Sequence, residues 1–393
     1  MPQHSSSAEK VFGNDDLLTK ILACLPLKPL FQFKSVSKRW LSLIIDPHLA
    51  RCRNPDPSLV SGLFLLSSMR RCNSKLNFIP LRNHENPLDD AHLGGLTSIP
   101  GLSSMRILNS CHGLLCCCSY SKADPGNFKY HVLNPATKQF ISLPEPHTCL
   151  KGLNLAFDPA RSPHYKVVCI WSAVSVVPTE PRYHQIEIYS SETGSWRASG
   201  EPFEADQSTQ FLGGVYWNGA INWFSTMGNS LYFKVEEEHL GTMPMPPILE
   251  EDWTGRKFRY YGESRGHLHL VEMYDPVIQI KVYEMERNYS GWFVKYHIDV
   301  GAVGDAFPEM MRELSWHPIS LAILSIVRGE KEDDSFLVLH IPGKIIRFHL
   351  ADKTFEMICD VAPEHCDGDG MIEDSLRYFW LHAFQYIESL SCV

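Results

Sequence analysis

The chain has 393 residues, of which 44% are hydrophobic and 21% are charged, and its net charge is −9. This length exceeds what a single core usually supports, so we expect two or more structural units. The negative charge excludes a global basic field that would attract nucleic acid or anionic lipid, and no apolar run approaches the roughly 20 residues that a membrane helix needs.

The first ten residues are polar and Ser-rich, without the basic and then apolar pattern of a secretory signal peptide. We therefore predict a disordered tail over residues 1–10 and a protein of the cytoplasm, the nucleus or both. The twelve cysteines are then reduced thiols. Three of them, Cys116 to Cys118, adjoin in an apolar stretch, which predicts a strand with buried thiols rather than a metal site.

Residues 14–49 predict three short helices. Asn14 or Asp15 can cap the first helix, whose apolar residues fall on one face: Leu17, Leu18, Ile21, Leu22 and Leu25. Pro26 ends this helix, and Pro29 suits the first turn of the second. The third helix has apolar residues at positions i, i+3 and i+4: Trp40, Leu43 and Ile44.

This helical stretch is small for an independent fold. A unit of about 40 residues without a disulfide or a metal rarely builds a sufficient core of its own. Two interpretations follow from the pattern alone. Either the helices form a cap that packs on the rest of the chain, or they present apolar surface to a partner.

The same stretch resembles the F-box, in the version common in plant F-box proteins. The resemblance runs in register from Asp16-Leu17-Leu18 through Leu25-Pro26-Leu27 to Asp46-Pro47. It implies that the helices bind the adaptor subunit of an SCF complex, which joins the receptor indirectly to a cullin scaffold. By this resemblance nine residues form or support the adaptor surface: Leu17, Leu18, Ile21, Leu25, Pro26, Leu30, Val36, Trp40 and Ile44.

The chain departs from this motif at one place. The motif usually opens with Leu-Pro, which helps to position the first helix, and here Gly13-Asn14 stands instead. Val11 and Phe12 can supply the missing apolar contact.

From about Leu59 onward the sequence has the texture of an all-β domain, with short β-branched or aromatic runs between clusters of Gly, Pro, Asn and Ser. The predicted strands include residues 61–66, 113–118, 165–171, 185–189, 214–224, 267–273, 278–283 and 335–340. The apolar run from Ile319 to Val327 is also predicted to be a buried strand.

A loose repeat organises this region. An apolar strand is followed by a polar turn and then by an aromatic residue, which predicts a hairpin whose outer strand buries the aromatic ring. Copies lie at 132–140, 188–196, 282–292 and 348–355. Such repeats are typical of propeller blades. We predict a β-propeller of five to seven blades whose C-terminal end pairs with early strands near Leu63, with an irregular double-sheet sandwich as the alternative.

This region resembles the F-box-associated domain of the same plant receptors. The resemblance rests on Cys111-His112-Gly113-Leu114-Leu115 and Asn134-Pro135-Ala136-Thr137, and it continues through Val215-Tyr216-Trp217-Asn218-Gly219. It implies a kelch-like propeller that binds a protein target. The whole chain is thus predicted to be α+β and multidomain: a three-helix F-box at residues 11–50, a linker at 51–58 and an all-β domain at 59–393.

The sequence offers candidates for target contact but none for catalysis. Loops rich in Trp, Tyr and Arg suit binding, and the best is the stretch that contains Trp253, Arg256, Arg259 and Tyr260; the competing interpretation is a strand with buried aromatic rings. No zinc spacing, phosphate loop or nucleophile motif stands in a suitable context, so we predict no catalytic residue, metal or cofactor.

The two resemblances imply a non-catalytic substrate receptor of a ubiquitin ligase. A glycan-binding propeller, a propeller enzyme with a helical cap and a scaffold protein that acts outside SCF complexes are the alternatives.

Overall fold

The computed structural model describes residues 12–25, 27–46, 48–49, 52, 60–66, 76–81, 105–121, 124–147, 149–172, 183–246, 256–274, 279–310, 320–361, 376–391 and 393. Its helices are α1 (Asp15–Ala23), α2 (Leu27–Phe33), α3 (Lys38–Ile45) and α4 (Gly301–Ala306). The first three lie within residues 14–49, where the sequence predicts short helices, and a three-helix F-box stays a prediction. Among the described residues no helix is long and apolar enough to cross a membrane.

The described strands form six sheets, five of which consist of four consecutive antiparallel strands. The first two of these sheets are β3 (Met105–Cys111), β4 (Leu114–Ser121), β5 (Asp124–Asn134) and β6 (Gln139–Ser142), and then β7 (Leu150–Ala156), β8 (Lys166–Ser172), β9 (Tyr183–Ser190) and β10 (Ser195–Glu204). The next two are β11 (Val215–Trp217), β12 (Ala220–Trp223), β13 (Ser230–Lys234) and β14 (His239–Met243), and then β15 (Arg256–Ser264), β16 (His267–Tyr274), β17 (Gln279–Met285) and β18 (Trp292–Asp299). The fifth is β19 (Ala322–Val327), β20 (Phe336–Ile341), β21 (Lys344–His349) and β22 (Phe355–Asp360).

The sixth sheet joins the two ends of the all-β region. It consists of β2 (Leu76–Pro80), β1 (Gly62–Leu66) and β23 (Ala383–Tyr386). β1 pairs antiparallel with β23, with Phe64 opposite Phe384. The C-terminal end therefore pairs with an early strand that contains Leu63, as the sequence predicted.

The six sheets are the blades of a closed β-propeller. The innermost strand of each blade contacts the innermost strand of the next, in the order β3, β7, β11, β15, β19, β23 and back to β3. These inner strands surround a central channel, and closure leaves only short sheet edges. The propeller prediction is confirmed with six blades, and the sandwich alternative is wrong. The kelch-like type of the blades stays a prediction.

The hydrophobic core lies between the blades. Each of six buried apolar clusters joins two neighbouring blades around the ring. Alternate side chains of one strand serve different clusters because they point to opposite faces of the sheet. Cys116 packs toward the blade of β7 and Cys117 toward that of β1, and both are fully buried free thiols. The predicted strand with buried thiols is confirmed.

The predicted repeat corresponds to the two outer strands of a blade. Its four copies are the hairpins β5–β6, β9–β10, β17–β18 and β21–β22. Two of the aromatic side chains link neighbouring blades by hydrogen bonds. The indole N–H of Trp196 donates to the carbonyl oxygen of Pro144 at 2.9 Å, and the indole N–H of Trp292 donates to the carbonyl oxygen of Pro244 at 2.8 Å. Phe140 is 42% exposed, so its predicted burial is wrong.

One predicted strand, residues 214–224, is in fact a hairpin. The chain turns at Asn218 and Gly219, whose φ angles are 54° and 76°, between β11 and β12. Asn-Gly is the strongest short-range signal for such a two-residue turn, because both central positions need a positive φ.

Candidate functional site

Polar side chains start two of the N-terminal helices. Asn14 Oδ1 accepts hydrogen bonds from the backbone N–H groups of Asp16 at 2.9 Å and Leu17 at 3.2 Å. Ser37 Oγ accepts one from the N–H of Trp40 at 3.1 Å. These caps satisfy N–H groups that the first turn of a helix leaves unpaired.

The helices enclose a small core that a distant part of the chain completes. Its fully buried helical members are Leu18, Leu22, Leu30, Ile44 and Leu49. Leu390, which follows β23, packs into the same cluster and is 6% exposed. The helical unit is therefore attached to the propeller through the C-terminal segment.

A second set of apolar side chains, on the N-terminal helices and the residues next to them, is exposed instead of buried in this core. It consists of Phe12, Leu17, Ile21, Val36 and Leu41, which we call the apolar ridge. Their exposed fractions range from 39% for Leu41 to 57% for Val36. Leu17 and Ile21 lie one turn apart on α1 and so share a face. Exposed apolar side chains that share a face are candidates for contact with a partner.

Phe12 is held at one end of the apolar ridge by Arg39. The Arg39 guanidinium donates to the backbone carbonyl oxygen of Phe12 and forms an ion pair with Asp15 at 2.5 Å. The Phe12 ring lies 6.1 Å from the ring of Trp40, centroid to centroid. Phe12, which precedes Gly13-Asn14, thus contributes apolar surface where the F-box motif usually has Leu-Pro.

The C-terminal segment is fastened to the blade of β3 by Asn134. Its side-chain amide donates to the carbonyl oxygens of Ser389 at 2.9 Å and Ser391 at 2.8 Å. Its Oδ1 accepts from the N–H groups of Ala136 and Thr137. Asn134 is fully buried, and each of its polar atoms is satisfied, so one residue shapes the β5–β6 turn and anchors the segment.

Gly113 lies under the same segment. Its φ is +88°, and a Cβ there would lie 2.4 Å from the Cβ of Ser389 and 2.6 Å from the carbonyl oxygen of Ile387. Only glycine allows both this conformation and this approach. The two short motifs that contain Gly113 and Asn134 therefore share one structural task, which is to seat the C-terminal segment.

The central channel contains a cavity of about 270 Å³. Its polar lining comes from the inner strands and the turns next to them and includes Arg106, His112, Glu263 and His382. Burial raises the pKa of the Glu263 carboxyl, which accepts a hydrogen bond from the N–H of Gly266 at 2.5 Å.

Side-chain amides brace the walls of this channel. Asn109 on β3 accepts from the N–H of Leu155 on β7 at 2.9 Å and donates to the carbonyl oxygen of Gly214 at 2.8 Å. Gln385 on β23 donates to the carbonyl oxygen of Glu263 at 3.0 Å and to Ser325 Oγ at 3.1 Å. These bonds cross between inner strands of different blades, so they hold the ring in register.

Three of the four residues predicted for target contact lie on β15. Tyr260 is 5% exposed; its ring lies 6.5 Å from that of Trp380, and both residues line the cavity. Arg259 is half-buried on β15, and Arg256 begins that strand. Trp253 lies outside the described residues. Tyr260 fits the alternative interpretation of this stretch, a strand with a buried aromatic ring. Target contact by these residues stays a prediction.

Comparison with known families decides what this arrangement is. A family model described as an F-box domain matches residues 14–51, and one described as an F-box associated beta propeller domain matches residues 63–295, more than half of the chain. The chain is an F-box protein with an F-box associated β-propeller.

Relatives of this F-box protein occur in Arabidopsis thaliana. F-box protein At5g07610 is 36% identical over 99% of this chain and 94% of its own length. F-box protein At5g03970 is 26% identical over 90% of this chain and 84% of its own length.

Solved structures resemble the chain only distantly. An oligogalacturonate lyase in complex with manganese aligns with a TM-score of 0.33 and 10% identity over 67% of this chain and 80% of that one. A Pyrococcus horikoshii acylaminoacyl peptidase aligns with a TM-score of 0.35 and 6% identity over 65% of this chain, which spans 44% of the peptidase. Similarity at this level carries no functional conclusion.

The F-box residues predicted for the adaptor surface divide into three groups. Leu17, Ile21 and Val36 are exposed on the apolar ridge; Leu18, Leu30 and Ile44 are buried in the helical core; Leu25 and Trp40 are half-buried. Pro26 lies outside the described residues. The buried group can only support the surface, whereas the exposed group can contact a partner. Adaptor binding by either group stays a prediction.

Sequence reasoning missed Leu41 and the C-terminal segment. Leu41 is exposed and belongs to the apolar ridge, although it lies next to Trp40, which was predicted. Leu390 belongs to the helical core, and no local pattern links it to helices that precede it by more than 300 positions.

Proposed function

We propose that this F-box protein is the target-recognition subunit of an SCF-type cullin ubiquitin ligase. The F-box binds the adaptor, the cullin is reached through the adaptor, and the propeller binds a protein target. The protein then acts in the cytoplasm, the nucleus or both.

The apolar ridge is the observation that carries this proposal. Leu17, Ile21 and Val36 do not belong to the helical core and are 42%, 46% and 57% exposed. Burying each such side chain in an interface contributes about 1.5–3 kcal/mol. A surface of this composition fits a partner with an apolar groove, and membership of the F-box family supports the adaptor as that partner.

The attachment of the F-box supports a receptor that holds its target in a fixed position. Leu390 lies in the helical core, and Asn134 holds the preceding residues of the same segment against the propeller. A target on the propeller is thereby kept at a set distance from the adaptor and from a charged conjugating enzyme. Ubiquitin transfer gains from effective concentration, and this chain performs no chemistry.

One thiol in the channel invites comparison with a catalytic cysteine. Cys111 lines the cavity, and its sulfur lies 3.5 Å from Nδ1 of His112. Burial raises the pKa of this thiol well above its ordinary value, and the sulfur contacts the carbonyl oxygen of Phe157 at 3.3 Å. An activated cysteine needs a lowered pKa. These properties support a structural role for Cys111 and a non-catalytic receptor.

Assembly from purified components tests the proposal. The full chain is mixed with adaptor and the adaptor-binding part of a cullin, and the mixture is separated by gel filtration. We expect co-elution of all three proteins for the natural chain and for Met357→Asp, which alters an exposed residue of β22. We expect Ile21→Asp to elute alone. Co-elution of Ile21→Asp, or no assembly of the natural chain, would contradict the proposal.

Targets can be sought with the same pair of variants. Proximity labelling in cells with protein degradation blocked should mark proteins that accumulate with the natural chain. A target of the assembled ligase is labelled by both the natural chain and Ile21→Asp, but only the natural chain lowers its abundance once degradation resumes.

A further inference from the structure

Two short turns meet across one end of the central channel. The turn Phe211–Gly213 leads into β11, and the turn Trp380–His382 leads into β23. These strands lie on opposite sides of the ring of inner strands. Even so, a Cβ on Gly213 would lie only 3.5 Å from Cδ2 of Leu381. The turns therefore span the channel opening and touch.

Each turn exposes a leucine at this opening. Leu212 is 56% exposed and Leu381 is 43% exposed, and both also line the cavity. A turn that crosses a channel has no need of exposed leucines for its own stability, because these side chains are not in the core. We call Leu212, Leu381 and the adjacent Arg106 the channel-mouth patch.

Arg106 supplies the positive charge of the channel-mouth patch. It is exposed near the start of β3 and lines the cavity, and it forms no ion pair with any carboxylate among the described residues. Of the described residues that line the cavity, it is the one arginine or lysine. Burial, together with the charge of Arg106, lowers the pKa of His382, so that this histidine is neutral at pH 7. His382 Nδ1 is buried without a hydrogen-bond partner among the described residues.

The channel-mouth patch lies at the end of the channel away from the F-box. The F-box core receives Leu390, which follows the last residue of β23, whereas Leu381 precedes the first. Ser389 lies against Gly113, which follows β3, whereas Arg106 is near its start. A ligand bound at the channel-mouth patch would therefore not collide with the adaptor-binding helices.

We propose that the channel-mouth patch binds a linear segment of the target in which a branched apolar side chain adjoins a carboxylate. The apolar side chain packs against Leu212 and Leu381, and the carboxylate pairs with Arg106. A single guanidinium matches one carboxylate, whereas a phosphate dianion usually meets several cations. A cavity of about 270 Å³ is at the small end of ligand pockets and takes side chains rather than a folded surface. This inference rests on the proposed role of the propeller in target binding.

Peptide pools with defined central pairs test the inference. Four pools carry Leu-Glu, Leu-Gln, Leu-Lys or Ala-Glu at the centre and mixed residues on both sides, and a fifth carries Leu-phosphoserine. Each pool is passed over the immobilised full chain, and the retained peptides are quantified by mass spectrometry. We expect Leu-Glu peptides to be retained about fivefold or more over Leu-Lys and Ala-Glu peptides. The Leu-Lys peptides lose the charge pair with Arg106, and the Ala-Glu peptides lose the apolar contact with the leucines.

Charge reversal makes the result specific. Arg106→Glu should invert the preference, so that Leu-Lys peptides are retained over Leu-Glu peptides. Arg287→Glu reverses an exposed arginine in the β17–β18 turn and should leave the preference unchanged. Equal retention of all pools, a preference for phosphoserine, or a Leu-Glu preference that survives Arg106→Glu would overturn the inference. Adaptor binding is measured on the same preparations. If the chain binds the adaptor but does not select peptides, only this inference is contradicted. If the chain does not bind the adaptor, the proposed function is contradicted.

Discussion

The side-chain amide of Asn134 donates a hydrogen bond of 2.9 Å to the backbone carbonyl oxygen of Ser389, 255 positions later in the chain. The bond joins the second blade in chain order to the segment that carries Leu390 into the F-box core. A residue of a short local motif thereby helps to set the position of the adaptor-binding helices on the propeller.

Asn134→Asp should release this segment. Aspartate keeps the acceptor that shapes the β5–β6 turn, but it replaces two donated bonds with a buried carboxylate that faces two carbonyl oxygens. We expect the free energy of unfolding to fall by about 3 kcal/mol or more, together with faster amide hydrogen exchange at residues 387–391. Urea unfolding and exchange mass spectrometry measure both effects.

Asn288→Asp is the matched control for that substitution. Asn288 is exposed, and its Oδ1 accepts a hydrogen bond from the N–H of Ser290 at 3.0 Å. Aspartate preserves this bond, so stability and exchange should stay close to those of the natural chain. Equal effects of the two substitutions would show that the bonds of Asn134 to the C-terminal segment do not stabilise the fold.

Gly113→Ala should destabilise the protein more than the same change at Gly194. Both glycines have a positive φ, +88° and +68°, but only Gly113 has close neighbours in the C-terminal segment. Backbone strain alone costs about 1–2 kcal/mol at either site, and the contact with Ser389 adds about 1–3 kcal/mol at Gly113. Urea unfolding of the two variants measures the difference. Equal losses in the free energy of unfolding would show that the C-terminal segment does not pack closely against Gly113.

Acid should weaken the fold through two buried histidines. Burial lowers the pKa of His269 to about 3 and that of His340 to about 4, from an ordinary value of 6.5. Below pH 6.5 the unfolded chain binds protons that the folded chain does not bind until the pH approaches 4. Each histidine should therefore lower the free energy of unfolding by about 1.4 kcal/mol per pH unit across that interval.

Urea unfolding at pH 7, 6 and 5 tests this pH dependence. His340→Gln should reduce the slope by about 1.4 kcal/mol per pH unit below pH 6.5, whatever its effect on stability at pH 7. His239→Gln alters an exposed histidine and should leave the slope unchanged. A slope that is the same in His340→Gln and in the natural chain would contradict the neutral state of His340.

Local signals in the sequence predicted most of the blades. The outer hairpins at 132–140 and 188–196 have an apolar strand, a polar turn and an aromatic residue in consecutive positions, and each is a two-strand unit in the structure. The number of blades was not predictable in this way. One blade takes β23 from the other end of the chain, and contacts between distant segments leave no periodic pattern.

The F-box shows the same limit at the level of single side chains. Leu17 and Leu18 are neighbours with the same chemistry, yet Leu17 is 42% exposed and Leu18 is 2% exposed. The apolar face of α1 is wide enough to serve both a core and a surface. Packing against α3 and Leu390 decides which side of α1 is buried. The local sequence pattern does not contain this information.

The central claim is that the apolar ridge binds the adaptor, and calorimetric titration of purified adaptor into the full chain tests it most directly. Burying an aspartate in an apolar interface should raise the Kd at least about 30-fold for Leu17→Asp and for Ile21→Asp, while circular dichroism shows an unchanged fold. Ile21→Leu preserves the apolar contact and should bind as the natural chain does. If the Kd of both aspartate variants lies within about twofold of the natural value, the ridge is not the adaptor surface.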